Sequence, residues 1–120
     1  MAFADPQSVT INAVAISLPR VGQGVSSGIF QSNDAAVRLT ISHQSGKRNR
    51  HTIRIDHQKV AADPFVGSTN ARYSMSAYVV MDVPPVGYTV AEAKQIGDAL
   101  AAYLTASTGA NITKLLGNES

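Results

Sequence analysis

From Val37 onward, apolar and polar residues alternate with a period of two, and this alternation predicts strands. Val37, Leu39, Ile41 and His43 fall on one side, and Arg38, Thr40, Ser42 and Gln44 on the other. After the turn "QSGKRN" the pattern resumes, with His51, Ile53, Ile55 and His57 on the first side and Thr52, Arg54, Asp56 and Gln58 on the second. A loop, "AADPFVGSTNA", then leads into a third run. There Tyr73, Met75, Ala77, Val79, Met81 and Val83 alternate with Ser74, Ser76, Tyr78, Val80 and Asp82. One sheet face is therefore expected to be apolar and the other rich in hydroxyl and guanidinium groups.

Upstream, Val9 and Ile11 followed by Val14, Ile16 and Leu18 predict two short strands, or one strand with a bulge at Asn12-Ala13. The "PRVGQGVSSG" that follows reads as turn chemistry, a flexible hairpin connection. Its GxGxxxG spacing misses the dinucleotide fingerprint by one residue, and no strand-helix-strand context surrounds it. Downstream, Pro84-Pro85 ends the third run and Thr89-Val-Ala-Glu92 has the form of a capping box. Ala93, Ile96, Leu100, Tyr103 and Leu104 then recur at helical spacing, with Gly109 as the expected stop. A short second helix is expected over 111–116, capped by Asn111.

These elements predict an α+β chain with an N-terminal hairpin, about five antiparallel strands and two C-terminal helices. The 120 residues are expected to form a single domain with an N-terminal hairpin (1–30), a sheet (35–84) and helices (89–117). Five strands at ~4.8 Å each make a sheet roughly 24 Å wide. A helix covers only about 10 Å of that width. The apolar face thus calls for a second copy, and an interlocked homodimer is expected with Ile96, Leu100, Tyr103 and Leu104 at its interface.

Composition narrows the chemistry. With 44% apolar and 15% charged residues the chain has the balance of a folded domain, and the lack of cysteine removes disulfides, thiolate metal sites and cysteine nucleophiles. "MAFADPQ" carries no basic flank followed by an apolar run, and no stretch reaches the ~18 apolar residues of a membrane span. No secretory leader and no membrane partner are expected.

Charge changes the picture more. The segment from Arg38 to Val60 holds six of the ten Lys and Arg residues and one acid, a local net charge of +5 that leaves −3 for the rest. Arg38, Thr40, Ser42, Thr52 and Arg54 share the polar face, Ser76 and Tyr78 join it from the third strand, and Lys47, Arg48 and Arg50 crown the turn. Hydroxyls can pair with base edges, arginine with phosphate, and tyrosine can stack on an unpaired base, a combination suited to single-stranded RNA. A solvated sheet face also carries Thr, Ser and Arg, and a basic turn alone is ordinary; the charge segregation favours the RNA reading.

The segment "VRLTISHQSGKRNRHTIRIDHQKV", a Gly-containing loop, a strand ending in proline and two helices together resemble the coat proteins of the small single-stranded RNA bacteriophages, the levivirus group. The resemblance covers nearly the whole chain, although the first thirty residues match only in length and hairpin pattern. It implies a structural capsid protein whose helices interlock with a dimer partner. Dimers would build an icosahedral shell, with the sheet facing the RNA genome. The family's adenine-contacting hydroxyls would fall on Thr40, Ser42 and Thr52, with basic neighbours at Arg54 and Arg38. Tyr78 would supply the stacking ring. The loop holding Pro64, Phe65, Val66 and Gly67 would join dimers, the alternative being that Phe65 folds onto its own core. Binding of an operator hairpin to repress translation is a further implied property; the connecting turn here is shorter than in the best-known members. The implied location is the virion, assembled in the bacterial host cytoplasm.

Two rival functions compete. Catalysis would need an acid/base pair or a metal, but no carboxylate is expected beside His43, His51 and His57, and Glu92 is explained by its cap. No enzyme activity, cofactor, metal or small-molecule substrate is expected. The other rival is a dimeric RNA-binding regulator that never assembles, which particle size separates from a coat protein.

Overall fold

The computed structural model describes residues 3–62, 64, 65 and 67–120. Among these, seven strands precede a broken helix: β1 (Gln7–Ile11), β2 (Val14–Leu18), β3 (Arg20–Gly24), β4 (Ser27–Gln31), β5 (Val37–Gln44), β6 (Asn49–Ala62), β7 (Asn70–Val83) and α1 (Val90–Leu116). β1 and β2 form a separate two-stranded sheet, and β3 to β7 lie side by side in chain order as a five-stranded sheet. The α+β expectation of a hairpin, a five-stranded sheet and C-terminal helical structure holds.

Asn12 and Ala13 both adopt positive φ, 51° and 62°, between β1 and β2. Two consecutive left-handed residues make a tight hairpin turn whose twist suits antiparallel strands, so the segment is two strands and not one bulged strand. The glycine-rich "PRVGQGVSSG" departs from its sequence reading. It is no mere connection but the β3–β4 hairpin, with Gly22 opposite Ile29 and Gly24 opposite Ser27. Glycine and serine carry too little apolar periodicity to announce a strand; pairing with β5 is what makes them one.

The β4–β5 connection is held by a small polar knot. The Ser32 hydroxyl donates to Asp34 Oδ1 at 2.7 Å and accepts from the Val37 backbone N–H at 3.1 Å, while Asp34 Oδ1 also accepts from Ala36 N–H. The Ser32 hydroxyl, and after it the Ala36 N–H, hold the Asp34 carboxyl below its ordinary value, because both bonds favour the charged form.

Leu18, Phe30, Val37, Leu39 and Ile41 are the buried core, with Val9, Ile11, Ile16, Ala36 and Ile55 packed against it. Burying each of the larger side chains contributes roughly 1.5–3 kcal/mol. Since Leu18, Ile16, Val9 and Ile11 come from β1 and β2, the N-terminal hairpin covers part of the apolar face that the width argument left bare. Farther along that face, Ile53 and Met75 remain 46% and 60% exposed.

The C-terminal unit, 83–120, carries α1. Thr89 caps it by accepting from Glu92 N–H, as the capping box predicts. The helix is broken by non-helical backbone from Ala106 to Gly109, so the break begins three residues before the expected glycine. Asn111 does not cap a second helix through its side-chain oxygen. Its Nδ2 instead donates across the break to the Tyr103 carbonyl at 2.8 Å, satisfying an acceptor that the interruption leaves open. No residue of α1 is buried.

Candidate nucleic-acid interface

β5 and β6 pair so that Arg38 faces Asp56, Thr40 faces Arg54, Ser42 faces Thr52 and Gln44 faces Arg50. Directly opposed residues in an antiparallel pair share a face. The polar set anticipated from the alternation is therefore one continuous surface, with Leu39–Ile55 and Ile41–Ile53 pairs on the reverse. The β5–β6 register brings Thr40, Ser42, Thr52 and Arg54 together as two adjacent rungs.

β7 extends this surface. Arg72 donates to Gln58 at 3.0 Å, the Arg54 guanidinium lies 5.8 Å from the Tyr78 ring centre, and Arg48 pairs with Asp82 at 3.0 Å. Residue numbers fall along β6 as they rise along β7, the order an antiparallel neighbour requires. Tyr78 thus shares the face of Arg54, and Ser74 and Ser76 share its parity.

Three residues that the sequence reading did not assign complete the face. Gln31 on β4 accepts from Arg38 Nε and Nη2 at 3.2 and 2.8 Å. Ile29 lies opposite Thr40 and adds a half-buried apolar wall. Arg72 stands at the start of β7, one residue before the run that the alternation marked. Gln31, Arg38, Arg54, Gln58, Arg72 and Ser76 line a shallow open cavity of about 640 Å³. The carboxamide oxygens of Gln31 and Gln58 are taken by arginines and the Asp56 carboxylate, which also lines the cavity, by Arg54, so three guanidinium groups dominate its polar lining. Its chemistry suits a ligand made of acceptors, such as phosphate.

Acids temper the positive charge. Arg54 pairs with Asp56 at 3.0 Å and Arg48 with Asp82, all four side chains at least a third exposed. The length of β7 brings Asp82 alongside the basic turn. Exposed pairs of this kind contribute about 0–1 kcal/mol, so a phosphate can compete for either arginine. Lys47 is an exposed residue of the β5–β6 turn, and Arg50 follows on β6.

The remaining expected residues lie elsewhere. Pro64, Phe65 and Gly67 are exposed between β6 and β7, and Val66 lies outside the described residues. Phe65 is 94% exposed, which excludes the alternative of its folding into the core. The strands run to Ala62 and from Asn70, so this connection is shorter than the sequence suggested. Ile96, Leu100 and Tyr103 are exposed on α1 at 63%, 43% and 63%, and Leu104 is half-buried. Of the histidines, His43 and His51 meet across β5 and β6, whereas His57 is opposite Val37. Among the described residues no three metal-ligating side chains gather.

Residues 4–84 match the sequence model of the phage phiCb5 coat protein. No curated protein matches the chain. Among solved structures, the virus-like particle of bacteriophage AVE019 superposes with a TM-score of 0.76 at 12% identity, covering 87% of this chain and 88% of that one. The virus-like particle of bacteriophage NT-214 gives 0.73 at 15% identity over 99% of both chains. The bacteriophage GA protein capsid gives 0.68 at 15% identity over 97% of this chain and 95% of the other. At such identities these likenesses speak to the fold.

Proposed function

We propose, from the premise that this chain belongs to the phage phiCb5 coat-protein family, that it dimerises, assembles into an icosahedral shell and holds single-stranded RNA on its open sheet face. The observation that carries the RNA reading is the joining of Arg38, Arg54 and Arg72 to Thr40, Ser42, Thr52 and Tyr78 on one exposed, paired surface. Arginines take phosphates, the hydroxyl rungs take base edges beside Ile29, and the Tyr78 ring takes a base face. Lys47, Arg48 and Arg50 extend the positive field along the backbone of the nucleic acid, and Ser76 adds a hydroxyl to the cavity. An operator hairpin that presents unpaired bases would use the same rungs, which is how such a coat represses translation.

Dimerisation is supported from two sides. Ile53, Met75 and Val79 leave apolar area exposed on the reverse face, and Ile96, Leu100 and Tyr103 do so on α1, more than a lone chain leaves in water without risk of aggregation. β7 is also an outer strand of the sheet, fourteen residues long, and a strand edge of that length is a template for pairing with another chain. A second copy satisfies both. Pro64, Phe65, Val66 and Gly67 are then the segment through which dimers meet, within a virion assembled in the bacterial cytoplasm.

The solved particles of AVE019 and NT-214 lend assembly its weight. Protein made in bacteria is expected to elute as a large particle with a high 260 to 280 nm absorbance ratio. A small RNA-free dimer would overturn assembly and encapsidation together. A small dimer that still carries RNA would identify a non-assembling regulator.

A further inference from the structure

We propose that His43 and His51 chelate a divalent first-row transition-metal ion through their Nδ1 atoms. The two residues are directly opposed in the β5–β6 register, and both are exposed. Their Nδ1 atoms are 2.9 Å apart, with ring centroids at 5.1 Å and planes inclined by 68°. Neither residue belongs to the polar face, so the metal site is independent of the RNA reading.

The separation brings both nitrogens within reach of one ion. Two imidazole nitrogens each about 2.05 Å from one ion and 90° apart stand about 2.9 Å from each other, the cis arrangement of square-planar or octahedral ions. Imidazole pairs hold Cu²⁺ more tightly than Ni²⁺ or Zn²⁺, so Cu²⁺ is the strongest candidate. Without metal, one ring donates Nδ1–H and the other accepts. Chelation needs both Nδ1 lone pairs, which the donor ring supplies by carrying its proton on Nε2 instead. No proton is released from the neutral pair, and the exposed rings turn about their side-chain bonds to aim both lone pairs at the ion.

Two protein ligands leave the other positions to water or to the second copy proposed to cover this side of the sheet. Arg20 lines the same depression as His43, and Lys47 and Arg48 occupy the adjoining turn, so the local field disfavours a cation. Binding therefore rests on chelation by imidazole nitrogens, donors of borderline softness that disfavour hard ions such as Mg²⁺ and Ca²⁺, which prefer oxygen ligands. His57 is the internal control. It lies on the same side of β6 but opposite Val37, six residue pairs away and hence about 20 Å along the strand at ~3.3 Å per residue.

The test is titration of metal-free full-length protein with CuCl₂ in a non-coordinating buffer, followed calorimetrically and by electron paramagnetic resonance of the bound ion. Wild type and His57→Ala are expected to bind one ion per chain with equal affinity, and the spectrum to show coupling to two imidazole nitrogens. His43→Gln or His51→Gln, each keeping a hydrogen-bonding side chain on an exposed strand position, is expected to weaken binding at least about tenfold as the chelate is broken. The proposal is overturned if wild type binds no Cu²⁺, if the spectrum shows one nitrogen, or if the His43→Gln/His51→Gln protein binds as tightly as wild type.

Discussion

The guanidinium of Arg54 stands 5.8 Å from the centre of the Tyr78 ring, a cation–π contact that ties β6 to β7 across the polar face. The two side chains are exposed, Tyr78 at 63%, and each has a second use: the guanidinium also holds Asp56, and the ring has an open face. A nucleotide can enter such a pair by giving its base to the ring and its phosphate to the arginine.

Arg54→Glu is accordingly expected to reduce RNA retention while leaving dimers intact, because it reverses charge on the open face and touches nothing on the apolar one. In a salt titration of RNA binding, the slope of log K against log salt should fall in magnitude by roughly 0.7, since one phosphate is no longer neutralised. Unchanged retention and slope would remove Arg54 from the interface.

Tyr78→Ala should weaken binding of a short single-stranded RNA by about 1–3 kcal/mol, the value of one base stacked on an aromatic ring. Tyr78→Phe should bind almost as wild type, since it keeps the ring. Equal losses in both variants would mean that the hydroxyl, not the ring, carries the interaction.

Leu18→Ala tests the packing of the N-terminal hairpin. Leu18 is fully buried against Phe30, Val37, Leu39 and Ile41, and truncation should cost about 2–5 kcal/mol in chemical unfolding. A loss under about 1 kcal/mol, well below the range for a packed leucine, would show that the hairpin is a loose appendage.

Asp34 should confer an acid-side pH dependence. Its folded value lies below its unfolded value, held there first by the Ser32 hydroxyl and then by the Ala36 N–H. Its contribution is thus complete above the ordinary carboxylate range, near about 3.9, and is lost as pH falls through and below that range. Asp34→Asn is expected to flatten this part of the stability profile, measured by unfolding at pH 3 to 6; an unaltered profile would contradict it.

What the sequence made legible follows from side-chain contrast. The β5–β6 pairing could be read almost residue by residue, because Val37, Leu39 and Ile41 alternate sharply with Arg38, Thr40 and Ser42, and the opposite strand repeats the pattern. The capping box at Thr89 and Glu92 was equally plain. β3 and β4 were hidden, since Gly22, Gly24 and Gly28 have no side chains to alternate. With β4 unseen, Gln31 and Ile29 could not be placed beside Arg38 and Thr40. Arg72 escaped because the apolar run marking β7 starts at Tyr73, although its even parity with Ser74 and Ser76 was a usable signal. The pairing of Arg48 with Asp82 depends on two fourteen-residue strands lying side by side, a relation with no local trace in the sequence.

The most direct test of the central claim is ultraviolet cross-linking of purified RNA-containing particles, followed by mass spectrometry of the nucleotide-bearing peptides. Adducts are expected on the polar-face residues of β5, β6 and β7, with Tyr78 among them. Adducts confined to α1 or to the apolar side, with β5 to β7 unmodified, would contradict the assignment of RNA to this face.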